Sequence, residues 1–340
     1  MQKMIFAFIA SAAIVMLLAP LFIPMLRRLK FGQVERVEGP HAHSAKEGTP
    51  TMGGLMFVIG ITAAAMIFSV YDIALSFSVP AILMMLGFGL VGFLDDFIKV
   101  KCKRNLGLRA YQKIIAQLLL SFVVAYYAYR SEFIGPVLYD PIFGEINMGW
   151  GYIPFIMFVV IAIVNSANLT DGLDGLLGGV TLVYSIAMGI LFLYFALVLN
   201  KSLAGSPVFV AQSDGMLSMA IFSFAVAGGC LGFLRSNSYP AKVFMGDTGS
   251  MALGGAMSAM VIYSRSPFLF LLMGICIVAS AVSDVLQVGS YKLRHGHAAV
   301  LAVFFFSPAG IASEAPRQKA IAPANSGSVM PSSSAAAATV

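Results

Sequence analysis

Charged residues are scarce in this sequence of 340 residues, at 11% of the chain, whereas soluble domains carry about 25%. Apolar residues account for 59% of the chain. This balance excludes an ordinary soluble protein and indicates a membrane protein. Cysteine is scarce as well. The three cysteines, Cys102, Cys230 and Cys276, lie in one predicted loop and two apolar runs, so no disulfide framework is expected.

Long apolar runs are what the sequence has instead, and about 20 apolar residues cross a bilayer as one helix. The first run has no signal-peptide cleavage pattern, so we interpret it as a membrane anchor. The sequence therefore predicts an all-α, polytopic membrane protein with nine clear spans and a weak tenth at 298–312. The nine are 4–26, 51–70, 73–94, 111–129, 152–169, 173–198, 214–234, 243–263 and 267–288.

The basic residues predict the orientation of these spans. The alternate loops at 27–50, 95–113, 235–242 and 291–297 carry fifteen lysines and arginines, and the loops between them carry three. Because basic loops stay in the cytoplasm, the N-terminus is expected outside. The longest outer loop, 131–152, has the turn residues of a short hairpin. We expect a multi-pass membrane protein with anionic lipid neighbours and no nucleic-acid partner.

Five aspartates fall on the predicted cytoplasmic side, in three separate segments. They are Asp95, Asp96, Asp171, Asp174 and Asp247. Carboxylates at membrane spans are costly and usually functional, and five on one face require a cation. Simpler interpretations exist for each segment: Asp247 can be a helix cap, the pair at 95–96 a polar boundary beside Lys99, and the Asp-Gly steps at 171–175 ordinary turns.

The chemistry of these side chains favours Mg²⁺ and a phosphorylated substrate, because Mg²⁺ is held by one or two carboxylates plus water and phosphate oxygens. Lys46, Lys99 and Lys113 can neutralise phosphate charge. The stretches "TPTMGG" (49–54) and "MGDTGS" (245–250) place hydroxyls at helix starts, where backbone N–H groups favour phosphate. Together these features predict phosphoryl transfer at a cytoplasmic-face cleft.

Glycine motifs elsewhere have a structural explanation. "GFGLVG" (87–92) matches a dinucleotide-binding pattern but lies inside a predicted span without a preceding strand. We interpret it, and the glycine pairs at 178–179, 228–229 and 254–255, as close contacts between helices.

Five motifs in order carry a family resemblance that runs from residue 1 to about 297. They are "KEGTPTMGG" (46–54), "GFLDDFIKV" (92–100), "GLRAYQK" (107–113), "NLTDGLDGL" (168–176) and "FMGDTGS" (244–250). The sequence resembles the phospho-N-acetylmuramoyl-pentapeptide transferases (translocase I), within the polyprenyl-phosphate N-acetylhexosamine-1-phosphate transferases. The resemblance implies ten spans with both termini outside, commonly a homodimer, and Mg²⁺-dependent transfer of phospho-N-acetylmuramoyl-pentapeptide from a UDP-linked donor to undecaprenyl phosphate. The products are lipid I and UMP.

The resemblance also implies site residues. Asp95 and Asp96 match the essential aspartate pair, as a proton acceptor or as orienting groups, and Asp247 matches the Mg²⁺ ligand; these three are the expected catalytic residues. Phe244 is expected to stack on uracil. The other expected substrate-binding residues are Lys46, Lys99, Lys113, Asn168, Asp171, Asp174, Asn237 and Gln287.

The chain departs from the family after residue 297. The expected histidine run is missing, the apolar segment 298–312 is short and contains Pro308, and residues 313–340 are an Ala/Ser/Pro-rich tail expected to be disordered. We therefore assign 1–297 to the transferase domain and expect the altered ending to reduce or abolish activity.

Two other functions are compatible with the aspartates. A sibling enzyme that transfers N-acetylglucosamine-1-phosphate to the same lipid would share the metal-binding carboxylates. An ion-coupled transporter would use broken helices, but transporters hold such carboxylates near the bilayer midplane rather than at one face.

Overall fold

A computed structural model of the chain describes residues 1–28, 49–69, 76–102, 107–140, 144–202 and 207–293. Helices dominate these ranges, as predicted. Their bounds are α1 Gln2–Arg28, α2 Gly54–Ser69, α3 Ser78–Lys101, α4 Ala110–Arg130, α5 Tyr152–Thr170, α6 Leu176–Ser202, α7 Pro207–Asn237, α8 Gly246–Ser264, α9 Phe268–Met273 and α10 Ile275–Leu293. The predicted segments 298–312 and 313–340 lie outside the described residues.

Five helical segments are long and apolar enough to cross a membrane by length and composition: Gln2–Arg28, Ser78–Lys101, Gly149–Thr170, Leu176–Leu199 and Phe209–Asn237. Their outer faces carry exposed apolar side chains such as Leu17, Phe158 and Val183, each more than 60% exposed. Exposed apolar surface on this scale belongs in lipid. The all-α membrane class is therefore confirmed, while the count of nine spans stays a prediction.

The ninth predicted span, 267–288, is interrupted. Helix α9 ends at Met273, and α10 begins at Ile275 after Gly274. A side chain at Gly274 would come within 2.8 Å of the Phe270 carbonyl oxygen, so only glycine fits this close turn. The apolar run continued through the break, which is why the pattern predicted a single helix.

The hairpin predicted within 131–152 is confirmed by two paired strands, at the opposite end of the bundle from Asp95 and Asp96. Strand β1, Val137–Asp140, pairs antiparallel with β2, Gly144–Asn147. Arg265, at the C-terminal end of α8, fastens the hairpin to the bundle: its Nε donates to the Val137 carbonyl at 3.1 Å, and its carbonyl accepts from the Tyr139 N–H at 2.8 Å.

Helix α8 forms the centre of the bundle, and its described side chains from Thr248 to Ser264 are all buried. Small residues let its neighbours approach closely. A Cβ at Gly92 of α3 would lie 2.1 Å from the Asp247 carbonyl oxygen, and one at Gly254 would lie 2.7 Å from Val164 of α5. The packing interpretation of the glycine motifs is confirmed at Gly89, Gly92, Gly178, Gly228, Gly229, Gly254 and Gly255, but it is wrong for Gly179, which faces open space.

The orientation can be tested with cysteine labelling in intact cells. We expect a membrane-impermeant thiol reagent to reach the native Cys102, which is exposed at the end of α3, only from the cytoplasmic side. In a Cys102→Ser background, Glu145→Cys in the exposed strand β2 should react only from outside. Cys102→Ser alone is the control for Cys230 and Cys276. Labelling of both positions from the same side would contradict the predicted orientation.

Candidate active site

The predicted aspartate pair lies at the last turns of α3, and both side chains are buried. One oxygen of Asp95 accepts the N–H of Leu108 at 2.7 Å, which brings the segment before α4 against α3. Its other oxygen pairs with the Lys99 ammonium at 2.5 Å, one helical turn later. Gly107 permits this approach, because a Cβ there would lie 2.5 Å from the Asp95 carboxylate.

Asp96 caps helix α8 from a neighbouring helix. Its Oδ1 accepts the backbone N–H of Asp247 at 3.2 Å, and its Oδ2 accepts the Thr248 N–H at 2.9 Å and the Thr248 hydroxyl at 2.7 Å. The first N–H groups of a helix have no partner within the helix, and a carboxylate there also interacts favourably with the helix dipole. The expectation that the N–H groups starting "MGDTGS" are free for phosphate is therefore wrong for Asp247 and Thr248.

The turn before α8 is built from a close contact between two motifs. Phe244 donates its N–H to Pro50 and accepts from Gly53, each at 2.8 Å, and the Gly54 N–H reaches the Met245 carbonyl at 3.0 Å. Gly246 has φ +71°, and a Cβ there would lie 2.6 Å from the Asp96 carboxylate. Backbone hydrogen bonds thus join the motifs at 46–54 and 244–250, which are far apart in sequence, next to Asp96.

Asp247 lies between two ammonium groups. Its Oδ2 contacts Lys99 Nζ at 2.9 Å and Lys113 Nζ at 3.0 Å. The Asn168 amide completes the arrangement in one of its two orientations. Its nitrogen then donates to Asp247 Oδ1 at 3.0 Å and to the Ser250 hydroxyl at 2.8 Å, and its oxygen accepts from Lys113 Nζ at 3.0 Å. This orientation pairs every polar atom of the amide.

Two loops close the site beside α8. The side chain of Asn237 accepts the Gly175 N–H at 3.1 Å and donates to the Val243 carbonyl at 2.9 Å, and it is 2% exposed. Asp174 accepts the Ala241 N–H at 3.1 Å. These bonds join the loop after α5 to the loop after α7. The geometry thus gives Asn237 a structural position, and its contact with substrate stays a prediction.

Asp171 shows how strongly negative this end of the bundle is. Burial raises the pKa of Asp171 well above its usual range, and the charges of Asp247, Asp96 and Asp174 raise it further. A bound cation would lower this pKa and favour the ionised form of Asp171. The aspartates of three separate segments do meet, as the sequence predicted.

Three of these carboxylates form a candidate metal centre. In the described part of the chain, Asp95, Asp96 and Asp247 each offer an oxygen, and these oxygens lie within 4.8 Å of one another. Hard carboxylate oxygens suit Mg²⁺. The Asp247 side chain is 20% exposed, against 5% and 4% for the other two, so it is the carboxylate most accessible to an ion.

The other predicted site residues have different outcomes. Phe244 lies in the loop between α7 and α8 and is partly exposed. Lys46 lies outside the described residues, and for Gln287 only the backbone, within α10, is described. Sequence reasoning missed the roles of Leu108 and Thr248 as donors to the aspartate pair. A threonine directly after Asp247 was the available signal, but its acceptor lies 152 residues away.

Comparison with known proteins agrees with this geometry. The family model for glycosyl transferase family 4 matches residues 78–265, and phospho-N-acetylmuramoyl-pentapeptide-transferase signature 1 matches residues 46–58. The chain belongs to the phospho-N-acetylmuramoyl-pentapeptide-transferase family. A relative of that name from Clostridioides difficile is 47% identical over 282 residues, which cover 82% of this chain and 80% of the relative. One from Desulfitobacterium hafniense is 42% identical over 292 residues, covering 86% and 84%.

The capping role of Asp96 predicts a loss of stability in Asp96→Asn, because a neutral amide cannot accept all three bonds. We expect the free energy of unfolding to fall by about 1–2 kcal/mol, seen as a lower melting temperature in detergent. Thr248→Val, which removes one donor, should cost less. Asp214→Asn, the same change at an exposed position of α7, should cost nothing measurable. A melting temperature for Asp96→Asn equal to that of Asp214→Asn would contradict the cap.

Proposed function

We propose that the chain transfers phospho-N-acetylmuramoyl-pentapeptide from its UDP-linked donor to undecaprenyl phosphate, giving lipid I and UMP. The observation that carries this proposal is the Asp247 carboxylate, fixed between Lys99 and Lys113 and beside two buried aspartates at one end of an apolar bundle. Such a site suits a diphosphate and a metal at a membrane surface. The relatives from Clostridioides difficile and Desulfitobacterium hafniense are named for this transfer.

The donor diphosphate needs positive charge, and the site can provide it from three sources. Mg²⁺ on Asp247, with Asp95 and Asp96 near, would offset the negative charge and stabilise UMP as it leaves. Lys99 and Lys113 already lie within 3.0 Å of the same Asp247 oxygen, so a phosphate bound there would meet both ammonium groups. Asn168 holds Lys113 and Asp247 in this arrangement.

The acceptor requires little help in losing a proton. A phosphate monoester has a second pKa of about 6, so the lipid phosphate is mostly a dianion at neutral pH. One of its oxygens attacks the donor's β-phosphorus, the bond to the UMP oxygen breaks, and the electron pair leaves with UMP. Asp95 is engaged with Lys99 and the Leu108 N–H, so we assign it an orienting role rather than that of a proton acceptor.

The nucleoside is assigned to the loops beside α8. Phe244 is proposed to stack on uracil, and Asp171, Asp174 and Asn237 to form the surrounding polar wall. By resemblance, Lys46 and Gln287 contribute from segments whose side chains lie outside the described part. The site is proposed to face the cytoplasm in the inner membrane of a bacterium, with the N-terminus outside, and the chain to form a homodimer.

The proposal is tested by a radiolabelled donor assay with purified protein, undecaprenyl phosphate and Mg²⁺. We expect labelled lipid and free UMP from the muramoyl-pentapeptide nucleotide, and none after chelation of the metal. A chain with a relative's ending in place of residues 298–340 is the matched control for the altered tail and should be more active. Lipid product only from UDP-N-acetylglucosamine would establish the sibling enzyme instead, and transport without UMP release would establish a transporter.

Phe244→Ala tests the nucleoside site separately from the chemistry. Stacking of a base on an aromatic ring is worth about 1–3 kcal/mol, so a uridine-based inhibitor should bind roughly 5- to 150-fold more weakly. Calorimetric titration measures this without turnover. Phe158→Ala, on the lipid-exposed face of α5, is the control and should bind normally. Equal affinities of the two variants would place the uracil elsewhere.

A further inference from the structure

Two amide side chains pair between α4 and α5 beneath the site. The Asn165 Nδ2 donates to Gln117 Oε1 at 2.8 Å, and the Gln117 Nε2 donates back to Asn165 Oδ1 at 3.3 Å. Asn165 also donates to the Ile161 carbonyl of its own helix at 2.8 Å. Gln117 is fully buried. Neither residue belongs to a motif or to the site described above.

The pair lies directly under two residues of the site. Gln117 follows Lys113 by four residues in α4, and Asn165 precedes Asn168 by three in α5, so each pair of residues shares one face of its helix. At 1.5 Å per residue, the amide pair is about 4.5–6 Å deeper in the bundle. The two helices are therefore joined by two polar layers: the Gln117–Asn165 pair below, and the Lys113–Asn168 contact of 3.0 Å above.

A reciprocal amide pair constrains the helices that carry it. Both bonds form together only when the two helices keep one axial offset and one rotation, because each donor must lie about 3 Å from its acceptor. Rotation of α4 by one residue, about 100°, would turn Lys113 away from Asp247. The helix positions that allow both bonds of the Gln117–Asn165 pair therefore also point Lys113 Nζ and the Asn168 amide at the Asp247 carboxylate.

We propose that Gln117 and Asn165 are positioning residues, which hold the register of α4 against α5 so that Lys113 and Asn168 converge on Asp247. The kinetic part of this inference rests on the proposed function, but the structural part does not. The alternative is that the pair only holds two helices together, as interhelical hydrogen bonds in membranes commonly do.

The first test measures the position of Lys113 without turnover. A water-soluble acylating reagent is applied to the folded protein, and mass spectrometry gives the labelling of Lys113 relative to exposed Lys101 in the same chain. In Gln117→Leu, Asn165→Leu and the double variant, we expect this ratio to rise several-fold, because Lys113 is released from its partners. Ser121→Ala is the control. Ser121 lies one turn deeper in α4 than Gln117, and its hydroxyl donates to the Leu118 carbonyl of the same helix.

The second test measures turnover in the same variants. We expect kcat to fall about 10- to 100-fold, as for a misplaced catalytic group, with KM for the donor nearly unchanged. The exchanged pair, Gln117→Asn with Asn165→Gln, restores two facing amides and should recover part of both readouts. The double leucine variant should fold, because replacing both partners by apolar groups is nearly neutral. If a leucine variant does not fold, Gln117→Met takes its place, and the labelling ratio and kcat are measured in the same way.

The outcomes are distinct. A folded double leucine variant with the wild-type labelling ratio and wild-type kcat would overturn the positioning role and leave the pair as a helix contact. A raised labelling ratio in a chain whose wild type makes no lipid-linked product would support the positioning role and contradict the proposed function.

Discussion

The start of α8 is held by a carboxylate of another helix, and the rest of the site depends on that contact. Asp96 accepts two backbone N–H groups and one hydroxyl from Asp247 and Thr248. Glycines at 92 and 246 allow the backbones to come this close. Asp247 is the first residue so held, and its carboxylate contacts Lys99 and Lys113.

This arrangement concentrates charge where lipid surrounds the protein. Buried charges are tolerated when they are paired and hydrogen-bonded, and here Lys99 contacts Asp95 and Asp247 while Lys113 is shared by Asp247 and Asn168. Burial raises the pKa of Asp171, and the negative charges of Asp247, Asp96 and Asp174 raise it further. In the proposed reaction, Mg²⁺ would offset part of this negative charge, and the donor diphosphate would bring phosphate oxygens to the lysines.

The sequence predicted much of this site, and its failures have physical causes. Aspartates in apolar surroundings are costly, so Asp95, Asp96, Asp171, Asp174 and Asp247 were found from composition and position alone. The separate roles of these aspartates could not be predicted, because Asp96, the acceptor for Thr248, lies on α3, 152 residues earlier in the chain. Gln117 was missed since a single amide inside an apolar run shows no spacing rule. The break at Gly274 was hidden because apolar residues continue on both sides of it.

We propose that Asp247 and the aspartate pair form one cation site. Binding of Mn²⁺, a spectroscopically visible substitute for Mg²⁺, can be measured by electron paramagnetic resonance on the purified chain without substrates. We expect one specific ion per chain, lost in Asp247→Asn and retained in Asp214→Asn. Equal Mn²⁺ stoichiometry and affinity in the wild type and Asp247→Asn would contradict it.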